Sequence, residues 1–211
     1  MNSKKKVAIV DCGGANLSSL TFAIERLGLE YKVTNNKDDI SNASHVVLPG
    51  VGAAKDAMQR LSQTDLTIAI KDLKQPILGI CLGMQLLFDS TMEEDVNCLG
   101  IIQGECKRFA INPSYPVPHM GWNSIKINKK TPLVDNTIED AYFYFIHSYY
   151  IPLLDQTISS TEYDIEFSSV IQQENFYGVQ FHPEKSGAAG SKLLDSFFIF
   201  QFIVYEINTC N

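Results

Sequence analysis

Two patterns of apolar and polar positions succeed one another along this chain, and the change between them divides it in two. In the first half, short continuous apolar runs are followed by segments whose apolar residues recur at helical spacing. Residues 7–11 read as a buried strand. Asn16 is placed to cap a helix carrying Leu17, Leu20, Ile24 and Leu27 on one face, with Gly28 to end it. Strand character resumes over 31–34, and Val46-Val47-Leu48 runs into a Pro49-Gly50 turn. Helices are predicted over 55–61 and 66–73. The apolar run Gln75-Pro76-Ile77-Leu78 then meets a helical-looking Met84-Gln85-Leu86-Leu87-Phe88. Alternation of this kind implies parallel β-α units.

Between residues 106 and 181 the pattern changes to short apolar or alternating stretches broken by Asn-Pro, Gly and Asn turns, which predicts further, partly antiparallel strands. A last long helix is expected from near Gly187. Its Leu193, Leu194, Phe197, Phe198 and Phe202 fall on neighbouring turns and read as core. The expected fold is α/β, a single domain over 1–211. Its central sheet is mixed and mostly parallel, flanked by helices, with additional antiparallel strands in the second half.

Composition narrows the function. With 211 residues, 45% of them hydrophobic, the chain can bury one sizeable core, and no repeat, linker or low-complexity stretch interrupts it. A net charge of −7 argues against a nucleic-acid surface, which needs clustered Lys and Arg. Lys4-Lys5-Lys6 reads as a solvated terminus. The apolar stretch behind it ends at Asp11, too soon for a signal peptide, and no segment is long enough to span a membrane. The five cysteines are widely spaced, with no metal-type pairs, so neither a disulfide framework nor a metal site is expected. A reducing cytoplasm fits.

One cysteine stands apart. Gly79-Ile80-Cys81-Leu82-Gly83 sets a thiol between two glycines where a strand gives way to a helix, the layout of a nucleophile elbow. The unpaired N–H groups of a helix N-terminus favour the thiolate. Free cysteines are usually small core hydrophobes, and Cys12, Cys98, Cys106 and Cys210 take that reading or a surface one. A nucleophile also needs a base. Gly178-Val179-Gln180-Phe181-His182-Pro183-Glu184 ends a strand-like run in a histidine and a glutamate two residues apart. In extended backbone such residues project to the same side, and Pro183 disfavours the helical region for His182. Glu184 can then hold one ring nitrogen while the other faces the thiol, in a triad of Cys81, His182 and Glu184. His45, His119 and His147 compete for the role of base, but none has a carboxylate at that offset.

The elbow with Gln85 behind it, and His182-Pro183-Glu184 near the end, resemble the triad-type class I glutamine amidotransferases. Pro49-Gly50-Val51-Gly52, His119-Met120-Gly121-Trp122-Asn123 and Tyr144-Phe145-Ile146-His147-Ser148-Tyr149 are similar, within that family, to the glutaminase subunits of imidazole glycerol phosphate synthase, from histidine biosynthesis. The resemblance covers residues 7 to about 200. It implies hydrolysis of glutamine to glutamate and ammonia without a cofactor. It further implies an oxyanion hole from Gly50, Val51, Gly52 and the Leu82 amide, and glutamine contacts from Gln85 and from the main chain of His147, Ser148 and Tyr149. The implied partner is a (β/α)8-barrel cyclase subunit, in a heterodimer that channels ammonia, with Asn16, Trp122, Tyr144 and Lys185 near the interface. Many relatives carry a tyrosine and two spaced glycines where this chain reads Cys12-Gly13-Gly14-Ala15-Asn16. Three alternatives stay open: a glutaminase serving another acceptor synthase, a free-standing γ-glutamyl cysteine hydrolase, and a catalytically silent interaction module.

Overall fold

The computed structural model describes residues 6–13, 17–50, 52–135, 138–139 and 141–209, with side chains as far as residue 198. The first half is built of β1 (Lys6–Val10), α1 (Ser18–Arg26), β2 (Glu30–Thr34), α2 (Lys37–Ser41), β3 (His45–Leu48), α3 (Ala54–Gln63), α4 (Leu66–Asp72) and β4 (Ile77–Ile80). A single turn, α5 (Leu82–Gln85), follows, then β5 (Phe88–Thr91), β6 (Val96–Asn97), β7 (Ile102–Arg108), β8 (His119–Ser124) and β9 (Lys126–Ile127). The chain closes with β10 (Tyr142–His147), β11 (Tyr149–Tyr150), β12 (Thr157–Tyr163), β13 (Ile165–Gln173), β14 (Phe176–Val179), a 3-10 turn (Pro183–Lys185) and α6 (Gly187–Thr209).

Among the described residues the main sheet has eight strands in the order β2-β1-β3-β4-β14-β13-β12-β9. The first five are mutually parallel and the rest antiparallel, which matches the α/β expectation with extra antiparallel strands. Alternation along β1 separates the two faces. Val7 and Ile9 pack with Leu20 and Ile24 of α1 and with Leu193, Leu194, Phe197 and Phe198 of α6. Ala8 and Val10 pack on the other side with Ile40, Leu61, Leu66 and Ile70 of α2, α3 and α4. The parallel strands β3 and β4 are buried at every position, as strands covered on both faces must be.

Several expectations are adjusted. The helix expected over 84–88 is only the turn α5, because Phe88 already pairs with Ile102 in a side sheet ordered β11-β7-β5-β6. Helix α1 begins at Ser18, and Asn16 lies outside the described residues. The segment before β3 holds a short helix, α2, that apolar periodicity did not announce. Its cap is polar, with the Asn36 side chain accepting from the Asp38 and Asp39 N–H groups.

Candidate active site

The site lies where the parallel strands β4 and β14 end side by side. Strand β4 delivers Cys81, whose N–H still donates to the Val179 carbonyl at 2.8 Å. There the chain turns sharply, leaving Cys81 at φ 52° and ψ −109°, a region that side-chain-bearing residues rarely occupy. Met84 and Gln85 donate to the Cys81 carbonyl, so α5 starts immediately behind the sulfur. The flanking glycines answer to contact. A methyl group at Gly83 would overlap the Leu48 carbonyl oxygen, and one at Gly79 would lie 2.5 Å from the Gly83 oxygen. A methyl group at Gly50 would lie 2.2 Å from the Leu82 amide nitrogen, so Gly50 sits against the start of α5.

Strand β14 delivers the partners. Past its end, the His182 N–H donates to the Tyr144 carbonyl at 2.9 Å, and Ser186 Oγ donates back to the His182 carbonyl at 2.6 Å. His182 Nδ1 meets Glu184 Oε1 at 2.7 Å, both side chains being almost fully buried. Cys81 is the ring's other neighbour, lining one cleft with it. Burial alone would pull the His182 ring down, but its interactions with Cys81 and Glu184 outweigh it and push it up to about 10. The imidazolium is therefore the favoured form between sulfur and carboxylate.

The competing histidines serve elsewhere. His147 Nδ1 donates to the Tyr149 carbonyl at 2.7 Å, so its Nε2 is bare and accepts from His119 Nδ1 at 3.0 Å. His119 Nε2 in turn accepts from Asn123 Nδ2 at 3.4 Å. Burial lowers His147 to about 3 and His119 to about 4, so both stay neutral in this chain of bonds. His45 packs edge-on against Phe197 and Phe198 beneath α6. Burial, with Asp11 beside it, pushes the Cys12 thiol up to about 12, and burial also raises Cys98 and Cys106. Cys210 lies outside the described residues.

Cys81 and His182 open into a cleft of about 400 Å³. Of the residues singled out in the sequence, Gly50, Gly52, Leu82, Gln85, His147, Ser148, Tyr149 and Lys185 line it, and Val51 lies outside the described residues. Trp122 and Tyr144 lie elsewhere, facing each other across the β8–β10 ribbon. Two polar side chains were not anticipated. Glu93 lines the cleft and caps α3 by accepting from the Ala54 N–H at 2.9 Å. Gln180 is fully buried and donates to Cys81 Sγ at 3.7 Å. Among the described residues no cluster of His, Cys, Asp or Glu could hold a metal ion.

A family model for class-I glutamine amidotransferases matches residues 8–200. The chain belongs to that family. It is 44% identical over 191 residues to imidazole glycerol phosphate synthase subunit HisH 2 of Legionella pneumophila strain Paris, covering 90% of this chain and 96% of the relative. Its identity to the subunit HisH of Vibrio cholerae serotype O1 is 45% over 199 residues, covering 92% and 98%. Among solved structures, PurLQS from Thermotoga maritima shares the fold, with a TM-score of 0.67 at 20% identity, covering 93% of this chain and 99% of that one.

Proposed function

We propose that this chain hydrolyses glutamine to glutamate and ammonia as the glutaminase subunit of an imidazole glycerol phosphate synthase, and passes the ammonia to a separate cyclase subunit. The observation that carries the chemistry is that Cys81 and His182, far apart in sequence, line one cleft, with Glu184 bonded to His182 Nδ1. The acceptor reaction is taken from the relatives that share 44–45% of their residues with this chain.

Cys81 Sγ attacks the side-chain amide carbon, and the carbonyl electron pair moves to oxygen. The resulting oxyanion is held by the Leu82 amide at the start of α5, with Gly50 packed against it, and by the amides assigned to Gly50, Val51 and Gly52. His182, protonated and braced by Glu184, gives its proton to the departing nitrogen as the C–N bond breaks, leaving a thioester and free ammonia. A water then loses a proton to His182 and attacks the thioester, releasing glutamate and returning Cys81 and His182 to their starting forms.

Both amide hydrogens of Gln85 are engaged, by the Tyr149 carbonyl and by Gln180 Oε1, each at 3.0 Å. Its Oε1 is thus the group left to accept from substrate. Glu93 brings a carboxylate to the same cleft, suited to the α-ammonium of glutamine, and the main chain of His147, Ser148 and Tyr149 forms the wall that would meet the amino-acid end.

The docking face we assign is the outer side of the β8–β10 ribbon. The register puts Met120 opposite Ile146 and Trp122 opposite Tyr144, with Tyr142 on the same side. Met120, Trp122 and Tyr142 are each more than half exposed, an aromatic-rich apolar face beside the cleft mouth. Lys185 lines that mouth, and Asn16 is the remaining residue assigned to the interface. The occupant is the (β/α)8-barrel cyclase, docked by the face opposite its own active site.

Assembly with the candidate cyclase tests the reading. Cys81→Ala is expected to lower glutamine-dependent formation of imidazole glycerol phosphate by at least about 10³-fold while ammonia-dependent formation stays intact. Glutamine-dependent turnover that survives Cys81→Ala contradicts it.

A further inference from the structure

Gln180 is a polar side chain placed at full burial behind the nucleophile, where an amide without partners would be destabilising. Its backbone N–H is bonded to the Ser169 carbonyl at 2.9 Å, so the segment is fixed before the side chain is considered. The direction of the side-chain amide follows from its neighbours. The Tyr149 carbonyl accepts from His147 Nδ1 at 2.7 Å and from Gln85 Nε2 at 3.0 Å. The second hydrogen of Gln85 Nε2 goes to Gln180 Oε1 at 3.0 Å. With its oxygen held by Gln85, Gln180 must present its nitrogen to Cys81 Sγ, which it meets at 3.7 Å.

That orientation matters because the sulfur has a second neighbour of opposite preference. As a thiol, Cys81 donates to the Ile146 carbonyl at 3.8 Å. Once the sulfur is an anion, the carbonyl oxygen repels it, whereas an N–H donor in a site shielded from water attracts it. Gln180 and His182, two residues apart just past the end of β14, both approach Cys81.

We propose that Gln180 is a further catalytic residue, whose side-chain amide donates to Cys81 Sγ and stabilises the sulfur anion, with Gln85 locking that amide's direction. The assignment rests on the glutaminase reading only for its effect on turnover. The charge state of the sulfur is readable without glutamine.

The test uses the complex of the full chain with its cyclase subunit and follows the rate of Cys81 alkylation by iodoacetamide against pH. In Gln180→Met, which keeps the length and removes the donor, the midpoint is expected to rise by about one pH unit. Glutamine-dependent kcat is expected to fall about 10- to 100-fold, with KM changing less than about threefold, since the lost interaction is to the nucleophile. Gln180→Glu keeps an acceptor for Gln85 but turns a carboxylate toward sulfur, and is expected to raise the midpoint further. Ammonia-dependent cyclase activity reports that each variant is assembled. If Gln180→Met does not fold, Gln180→Glu alone carries the comparison. A midpoint unchanged from the parent in an assembled variant overturns the proposal. A parent complex that turns over no glutamine, yet shows the shifted midpoint in the variant, overturns the glutaminase reading and leaves the role of Gln180 standing.

Discussion

At the scale of single residues, the four histidines show how environment rather than residue type assigns chemistry. His182 is buried between two potential anions and is pushed up to about 10, whereas buried His147, bonded to a carbonyl and a second imidazole, is lowered to about 3. Their effects on stability have opposite signs. The raised His182 contributes stability that is fully present below about pH 6.5 and is lost as pH climbs toward about 10. The lowered His147 contributes stability that is fully present above about pH 6.5 and is lost as pH falls toward about 3. Urea unfolding across a pH series is therefore expected to show a maximum between these limbs. His147→Gln is expected to flatten the acid limb by about 1.4 kcal/mol per pH unit between pH 6 and 4. An acid limb of unchanged slope in that variant shows that His147 is not held neutral.

At the scale of elements, the site depends on how closely β4, α5 and Gly50 approach one another. Gly83 lies against the Leu48 carbonyl, which belongs to β3 and cannot swing aside as a flexible side chain would. Gly83→Ala is accordingly expected to destabilise the chain by about 3 kcal/mol or more, seen as a lower urea midpoint, and to lower glutamine turnover with it. A variant of parental stability and activity would mean the turn can open without loss. The parallel β-α units were legible because each strand is covered on both faces and reads as a continuous apolar run, as Val46-Val47-Leu48 does. The sharp turn at Cys81 and the His182–Glu184 pairing were legible because two glycines and a proline restrict local backbone, although Pro183–Lys185 forms a 3-10 turn where an extended segment was expected. The brevity of α5 was not, since Leu86, Leu87 and Phe88 are buried whether they continue a helix or enter a strand. Gln180 and Glu93 were not read as site residues either. A buried amide and a helix-capping carboxylate carry no local pattern, and what they touch is decided by residues about 40 to 100 positions away in sequence.

At the scale of the molecule, the sheet works as a frame that brings residues from position 81 and position 182 to adjacent strand ends. β4 and β14 pair in parallel although nearly one hundred residues separate them, with Val179 opposite Ile80. The intervening chain supplies the rest: the cleft wall from β10 and β11, and the outward apolar face of the β8–β10 ribbon. Among the described residues no helix is long and apolar enough to cross a membrane. In the proposed reaction one sulfur, at this junction, attacks glutamine. Incubation with a diazoketone analogue of glutamine, followed by peptide mass mapping, identifies which sulfur that is. A single covalent adduct on Cys81, suppressed by excess glutamine, is the predicted result. An adduct on Cys12, Cys98 or Cys106 with Cys81 unmodified would contradict the account.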